Sequence, residues 1–149
     1  MYDTNTPIKG KIFELIFQHP ITIGQYENME NKKTLVLGAS SNPERYSYLA
    51  VNKLNKFNHS VIGIGKRKGK AGDIEIDTEQ KPIEGIDTIT LYLNPQNQKQ
   101  YYDYILSLKP KRIIFNPGTE NDELYTLAKQ NGIEVMEACT LVLLSTGQY

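Results

Sequence analysis

Thr34-Leu35-Val36-Leu37-Gly38-Ala39-Ser40-Ser41-Asn42-Pro43 is the stretch that decides the fold. An apolar β-forming run is followed by a glycine and a polar turn, and then Tyr46, Leu49, Ala50, Leu54 and Phe57 recur at helical spacing. Strand, tight turn and helix N-terminus in that order gather backbone N–H groups and the positive end of a helix dipole at one point, a ready site for a phosphate or pyrophosphate. The dinucleotide fingerprint has glycine at its first, third and sixth places, which here hold Gly38, Ser40 and Pro43. Only the first glycine is kept. Ser40 and Ser41 offer hydroxyls instead, Asn42 reads as an N-cap, and Pro43 reads as the first helical residue, where its missing N–H costs nothing. An ordinary strand-to-helix turn has the same outline.

Arg45 bears on that choice. A cation in the first turn of a helix is disfavoured by up to about 1 kcal/mol unless an anion lies in front of it, so its placement suggests a ligand. The alternative is that Arg45 extends into solvent beside Glu44.

Working outward, Pro43 to about Phe57 reads as an amphipathic helix ended by Asn58-His59, with His59 a loop residue, and Ser60–Gly65 reads as a buried second strand. Gly72–Asp77 alternates polar with apolar and suits a short acidic edge strand. Asp87–Leu93 is a central strand stopped by Asn94-Pro95; Tyr101, Ile105 and Leu108 mark a helix broken at Lys109-Pro110; Arg112–Phe115 is another strand. Thr119 and Asp122 have the spacing of a capping pair, which predicts a helix over 120–131 closed by Gly132. Ile133–Met136 is the last strand, and Glu137 to about Leu144 a final short helix, although Leu141–Leu144 read equally as strand.

Strands alternating with helices predict an α/β fold, a Rossmann-like, doubly wound and mainly parallel sheet with helices on both faces and strand order 3-2-1-4-5-6. Ligands in such sheets bind beyond the carboxyl ends where the order reverses. That point brings together the Gly38 loop, Lys66–Lys68, Asn94-Pro95 and Asn116-Pro117-Gly118.

A chain of 149 residues, 39% hydrophobic and 23% charged, suits one compact domain with a sizeable core. Seventeen basic and seventeen acidic side chains cancel, so no global field draws it to nucleic acid or to an anionic membrane, and phosphate recognition has to be local. One cysteine excludes an intramolecular disulfide, and there is no long apolar run or signal pattern; together these predict a cytoplasmic protein. Two distant histidines and one cysteine make no metal site. Residues 1–31 differ in character: one short apolar patch, Ile12–Phe17, then His19-Pro20 and a polar stretch. They read as a loosely held appendage to a domain at 32–149, with Met29 as an alternative start.

Gly38-Ala39-Ser40-Ser41-Asn42-Pro43-Glu44-Arg45-Tyr46-Ser47 resembles the nucleotide loop of the small stand-alone CoA-binding domain family, which is related to the ligand-binding half of the succinyl-CoA synthetase α-subunit. The similarity runs from about Lys32 to Tyr149 and takes in Asn94-Pro95, Asn116-Pro117-Gly118 and Cys139. It implies a Rossmann-like fold that holds CoA. At the end of the second strand a nicotinamide-binding fold places an acid for the ribose, whereas this chain has Lys66, Arg67, Lys68 and Lys70. A basic cluster there suits an added phosphate on the adenosine, the 3′-phosphate of CoA or the 2′-phosphate of NADP; the other reading is a solvated basic loop.

An enzyme needs a nucleophile, base or electrophile beside the ligand, and candidates are thin. Cys139, near the start of the last helix, reads as a small core residue more readily than as an activated thiol. The expectation is a non-catalytic CoA or acyl-CoA binding protein with no catalytic residue, the alternative an NADP-dependent reductase using the same site. The candidate contacts to this small nucleotide ligand are Gly38, Ala39, Ser40, Ser41, Asn42, Arg45 and Ser47; Gly65, Lys66, Arg67 and Lys68; Asn94 and Pro95; and Asn116 and Gly118. Protein partners stay open.

Overall fold

The central strand, β1 (Thr34–Leu37), is buried along its whole length because helices cover both faces of the sheet it occupies. The computed structural model describes residues 30–149; the expectations for the Ile12–Phe17 patch and a start at Met29 lie outside the described residues. After β1 come α1 (Tyr46–Lys56), β2 (Val61–Ile64), β3 (Gly69–Ala71), β4 (Ile74–Asp77) and β5 (Thr88–Leu91). Then follow α2 (Pro95–Gln98), a 3-10 turn (Lys99–Tyr101), α3 (Tyr102–Leu108), β6 (Arg112–Phe115), α4 (Asp122–Gln130), β7 (Glu134–Glu137) and α5 (Thr140–Ser145).

The sheet order is β3-β4-β2-β1-β5-β6-β7, and every pair is parallel except β3 with β4. Without β3 this is the expected order, and the fold is the Rossmann-like α/β architecture read from the sequence. Alternating side chains feed two cores. Val36 and Ile114 pack with Ala50 and Leu54 of α1 and with Leu141 and Leu144 of α5. Leu35, Leu37, Ile89 and Ile113 pack on the other face with Ile105 of α3 and Leu124 of α4. Among the described residues no helix is long and apolar enough to cross a membrane.

Four local expectations are corrected. First, α1 starts at Tyr46 rather than Pro43, and Arg45 is its N-cap with extended backbone (φ −95°, ψ 143°). Asn42 does not cap the helix: its side-chain oxygen accepts the Glu44 N–H at 3.0 Å and its carbonyl accepts the Arg45 N–H at 3.1 Å, closing a separate turn. Second, the strand within 72–77 is not an edge, because β3 pairs antiparallel along its outer side after a reversal at Gly72 (φ +62°). Third, α4 is capped by Asn121, whose side-chain oxygen accepts from the Glu123 and Leu124 amides, while the Thr119 hydroxyl donates to the Asn116 carbonyl. Fourth, β5 ends at Leu91 instead of Leu93, which frees Tyr92 and Leu93 to enter the loop at the carboxyl end of the sheet.

Candidate functional site

Gly38 turns the chain sharply at the top of β1. Its φ is +97°, and a Cβ there would sit 2.8 Å from the carbonyl carbon and oxygen of Tyr92, so only glycine lets the two loops meet. Gly65, at the top of β2, is held the same way, since a Cβ would lie 2.1 Å from the Ala39 carbonyl oxygen. The Gly38 and Ala39 amides both donate to the Ile64 carbonyl, at 2.8 and 2.9 Å, and the Asn42 amide donates to the Ser40 hydroxyl oxygen at 3.1 Å. Within the loop this leaves the amides of Ser40 and Ser41 uncommitted among the described residues.

These turns open a cleft of about 370 Å³ at the switch point. Gly38–Asn42 and Arg45 form one wall, Lys66 and Arg67 a second, and Tyr92, Leu93 and Asn97 a third. No acidic side chain lines it, and Arg45, Lys66 and Arg67 have no ion-pair partner among the described residues. The N-terminus of α1 has no side-chain cap and no acid in its first turn, so its positive end is not neutralised locally. A larger groove, about 510 Å³, lies over β2 and β4, but its lining sets Asp73, Glu75, Asp77 and Glu79 against Lys68 and Lys81, of which Lys81 is already paired with Asp77, so it suits phosphate less well. It exists because residues 78–87 cross back to β5 without forming a helix.

The structure brings together Gly38, Ala39, Ser40, Ser41, Asn42, Arg45, Lys66 and Arg67 of the sequence-derived candidates. Others stand behind or beside the cleft. Gly65 is buried beneath it and Ser47 is buried in α1, while Lys68 lines the larger groove. Asn94 caps α2, accepting the Asn97 amide at 2.9 Å, with Pro95 at the first helical position. Asn116 spends its polar atoms internally: Nδ2 donates to Thr90 Oγ1 at 2.7 Å and to the Leu91 carbonyl at 2.9 Å, and Oδ1 accepts the Thr140 amide at 2.9 Å. The Gly118 amide donates to the Glu120 carboxylate at 2.6 Å.

Tyr92, Leu93 and Asn97 were missed by the sequence reading. Extending β5 to Leu93 hid the first two in the strand. No signal in the sequence marks Asn97 as a cleft residue: its place three residues after Asn94 accounts only for the capping bond to its backbone amide. Cys139 is the N-cap of α5 and half-buried, and burial pushes its thiol above the usual range although the Leu141 and Val142 amides pull the other way. Burial likewise raises the Tyr92 phenol well above its ordinary value.

The family described as the CoA binding domain matches residues 32–145. Among solved structures, one titled only as an uncharacterized protein is 53% identical, with a TM-score of 0.79 over 81% of this chain and 100% of its own. A hypothetical protein from Pyrococcus horikoshii OT3 is 18% identical, TM-score 0.68, over 81% of this chain and 88% of its own. A protein from Thermus thermophilus is 20% identical, TM-score 0.69, over 80% and 90%. These last two show the fold alone. No curated protein matches the chain. A Gly38 loop at the switch point of a mainly parallel sheet, three cations around its cleft with no ion-pair partner among the described residues, and a family match spanning the whole described sheet lead to one conclusion: the chain belongs to the CoA-binding domain family.

Proposed function

We propose that this protein binds CoA or acyl-CoA without transforming it, holding the nucleotide in the cleft between the Gly38–Asn42 loop and the Lys66-Arg67 turn. The observation that carries this is the convergence of Arg45, Lys66 and Arg67, which among the described residues have no carboxylate partner, on a cleft that no described acid lines. Unpaired cations facing one another repel, and a polyanion between them reverses the sign of that interaction. In this reading the pyrophosphate meets the Ser40 and Ser41 amides, the open end of α1 and Arg45. Lys66 and Arg67 meet the phosphate on the adenosine, and Asn97 offers a carboxamide to the rest of the ligand. A non-catalytic role is supported by Cys139, the one thiol of the chain, which burial holds in its protonated, weakly nucleophilic form.

Mass spectrometry of the protein purified without denaturant, before and after addition of CoA, tests the reading. The expected result is one CoA or acyl-CoA per chain. Retention of NADP with no uptake of CoA favours a reductase, and failure to bind either ligand removes the nucleotide site.

A further inference from the structure

We infer that His59 and Tyr149 form a proton-operated latch: protonating His59 unseats Tyr149 and loosens the C-terminal segment that backs the nucleotide cleft. The latch lies at the opposite rim of the sheet, where Thr34, Thr88 and Arg112 begin β1, β5 and β6. Tyr149 is buried there. Its hydroxyl pairs with Thr34 Oγ1 at 2.5 Å, and a main-chain oxygen of Tyr149 accepts from Lys32 Nζ at 2.6 Å. The Arg112 guanidinium lies 4.4 Å from the centre of its ring, and His59 meets the ring edge-on at 4.9 Å.

His59 is only 4% exposed, and its Nδ1 accepts the Lys32 backbone N–H at 3.0 Å. The neutral ring therefore carries its hydrogen on Nε2, an atom that is buried without a partner among the described residues. A second proton has to go on Nδ1, against the N–H already pointing at it. That turns a hydrogen bond into a donor–donor clash and adds an imidazolium to a cage holding Arg112 and Lys32. The groups facing His59 are Lys32 ahead of β1, Arg112 on β6, Tyr149 and, as the carboxylate side chain among the described residues, Asp87 ahead of β5. Asp87 is itself engaged by the Thr88 hydroxyl at 2.7 Å and by Lys111 at 3.8 Å. Burial first, then the two cations, hold the His59 pKa below the ordinary value near 6.5. A released imidazole recovers that value, so between the two pKa values the open state binds more proton. The latch accordingly weakens as pH falls below about 6.5.

The segment that Tyr149 anchors reaches the other rim. At its start the Thr140 amide donates to Asn116, and the Thr140 hydroxyl pairs with Thr90 at 2.8 Å, while Asn116 also holds the Leu91 carbonyl immediately before Tyr92 in the cleft wall. Leu141 and Leu144 of α5 pack in the same core as Ala50 and Leu54 of α1. The latch itself stands without any ligand; its effect on the cleft rests on the nucleotide reading above.

Proton NMR of the ligand-free protein from about pH 7.5 to about pH 5, within the range where histidine titrates, tests it. The His59 ring signal is identified by its loss in His59→Asn, whose carboxamide oxygen can keep accepting the Lys32 N–H but cannot titrate. Expected are a common midpoint below about 6.5 for His59 and for the Tyr149 ring signals, movement of the latter toward free tyrosine, and fixed Tyr149 signals in the variant. Tyr149 signals that stay put while His59 titrates, or that move equally in His59→Asn, overturn the latch. Should the variant fail to fold, separate midpoints in the native protein overturn it equally. CoA titrations at both ends of the pH range then test the coupling: an affinity loss at low pH that His59→Asn lacks supports it, and equal losses in both proteins overturn it. Absence of CoA binding at either pH sinks the nucleotide reading and leaves the NMR result to judge the latch.

Discussion

Gly38 and Arg45 were legible because each breaks a local preference. Gly38 sits where a side chain would collide with the Tyr92 backbone and at a φ that other residues adopt with strain. Gly38→Ala is therefore expected to cost about 1–3 kcal/mol in a denaturant titration, more than a surface substitution does. Arg45 stands at a helix N-terminus with no acid in the first turn. Arg45→Glu should leave the ligand-free protein as stable as before or steadier by about 0.3–1 kcal/mol, since a carboxylate suits that end of the helix. CoA affinity should fall at least tenfold, about 1.4 kcal/mol, because attraction to the pyrophosphate becomes repulsion. Calorimetry with a thermal melt checks both halves; unchanged affinity puts Arg45 in solvent. Asn97 was not legible, because nothing in an Asn-Pro-Gln-Asn run says which amide faces a cleft made by loops from other strands.

Elements were read well in kind and less well in their ends. β1 and β6 were found residue for residue, since Thr34–Leu37 and Arg112–Phe115 are short β-forming runs bounded by turn residues. Caps slipped at two helix starts: Asn42 closes a turn of its own and no side chain caps α1, and Asn121 rather than Thr119 reaches the free amides of α4. Which side chain reaches the free amides depends on turn geometry that spacing does not encode. The β3–β4 hairpin was missed because three residues, Gly69–Ala71, are too few to show alternation. Asn116 belongs at this scale, as its three internal hydrogen bonds tie β5, β6 and α5 together. Asn116→Ala is expected to destabilise the protein by roughly 2–4 kcal/mol, because buried partners are left unsatisfied. Below its melting temperature the variant should bind CoA within about threefold of the native protein, and an affinity loss much larger than that places Asn116 in contact with the ligand.

Across the whole molecule the strand order was legible because alternating strands and helices with right-handed crossovers leave few topologies, and the order fixes where a ligand site lies. Every strand of the sheet and every residue lining the cleft among the described residues lies after Met29, and the 53% identical relative is matched over its full length by 81% of this chain. A protein starting at Met29 should accordingly fold and bind CoA like the full chain. A stability loss above about 2 kcal/mol in denaturant would show instead that the Ile12–Phe17 patch buries apolar surface worth a large side chain. The most direct measurement is calorimetric titration with CoA and with its 3′-dephospho form, on the native protein, on a Lys66→Gln, Arg67→Gln double variant and on Lys68→Gln. Because a charge-assisted hydrogen bond contributes on the order of 1.5–3 kcal/mol, CoA should bind at least about tenfold more tightly. The double variant should lose that preference and Lys68→Gln, on the other groove, should keep it; equal affinity of the native protein for both ligands would contradict the account.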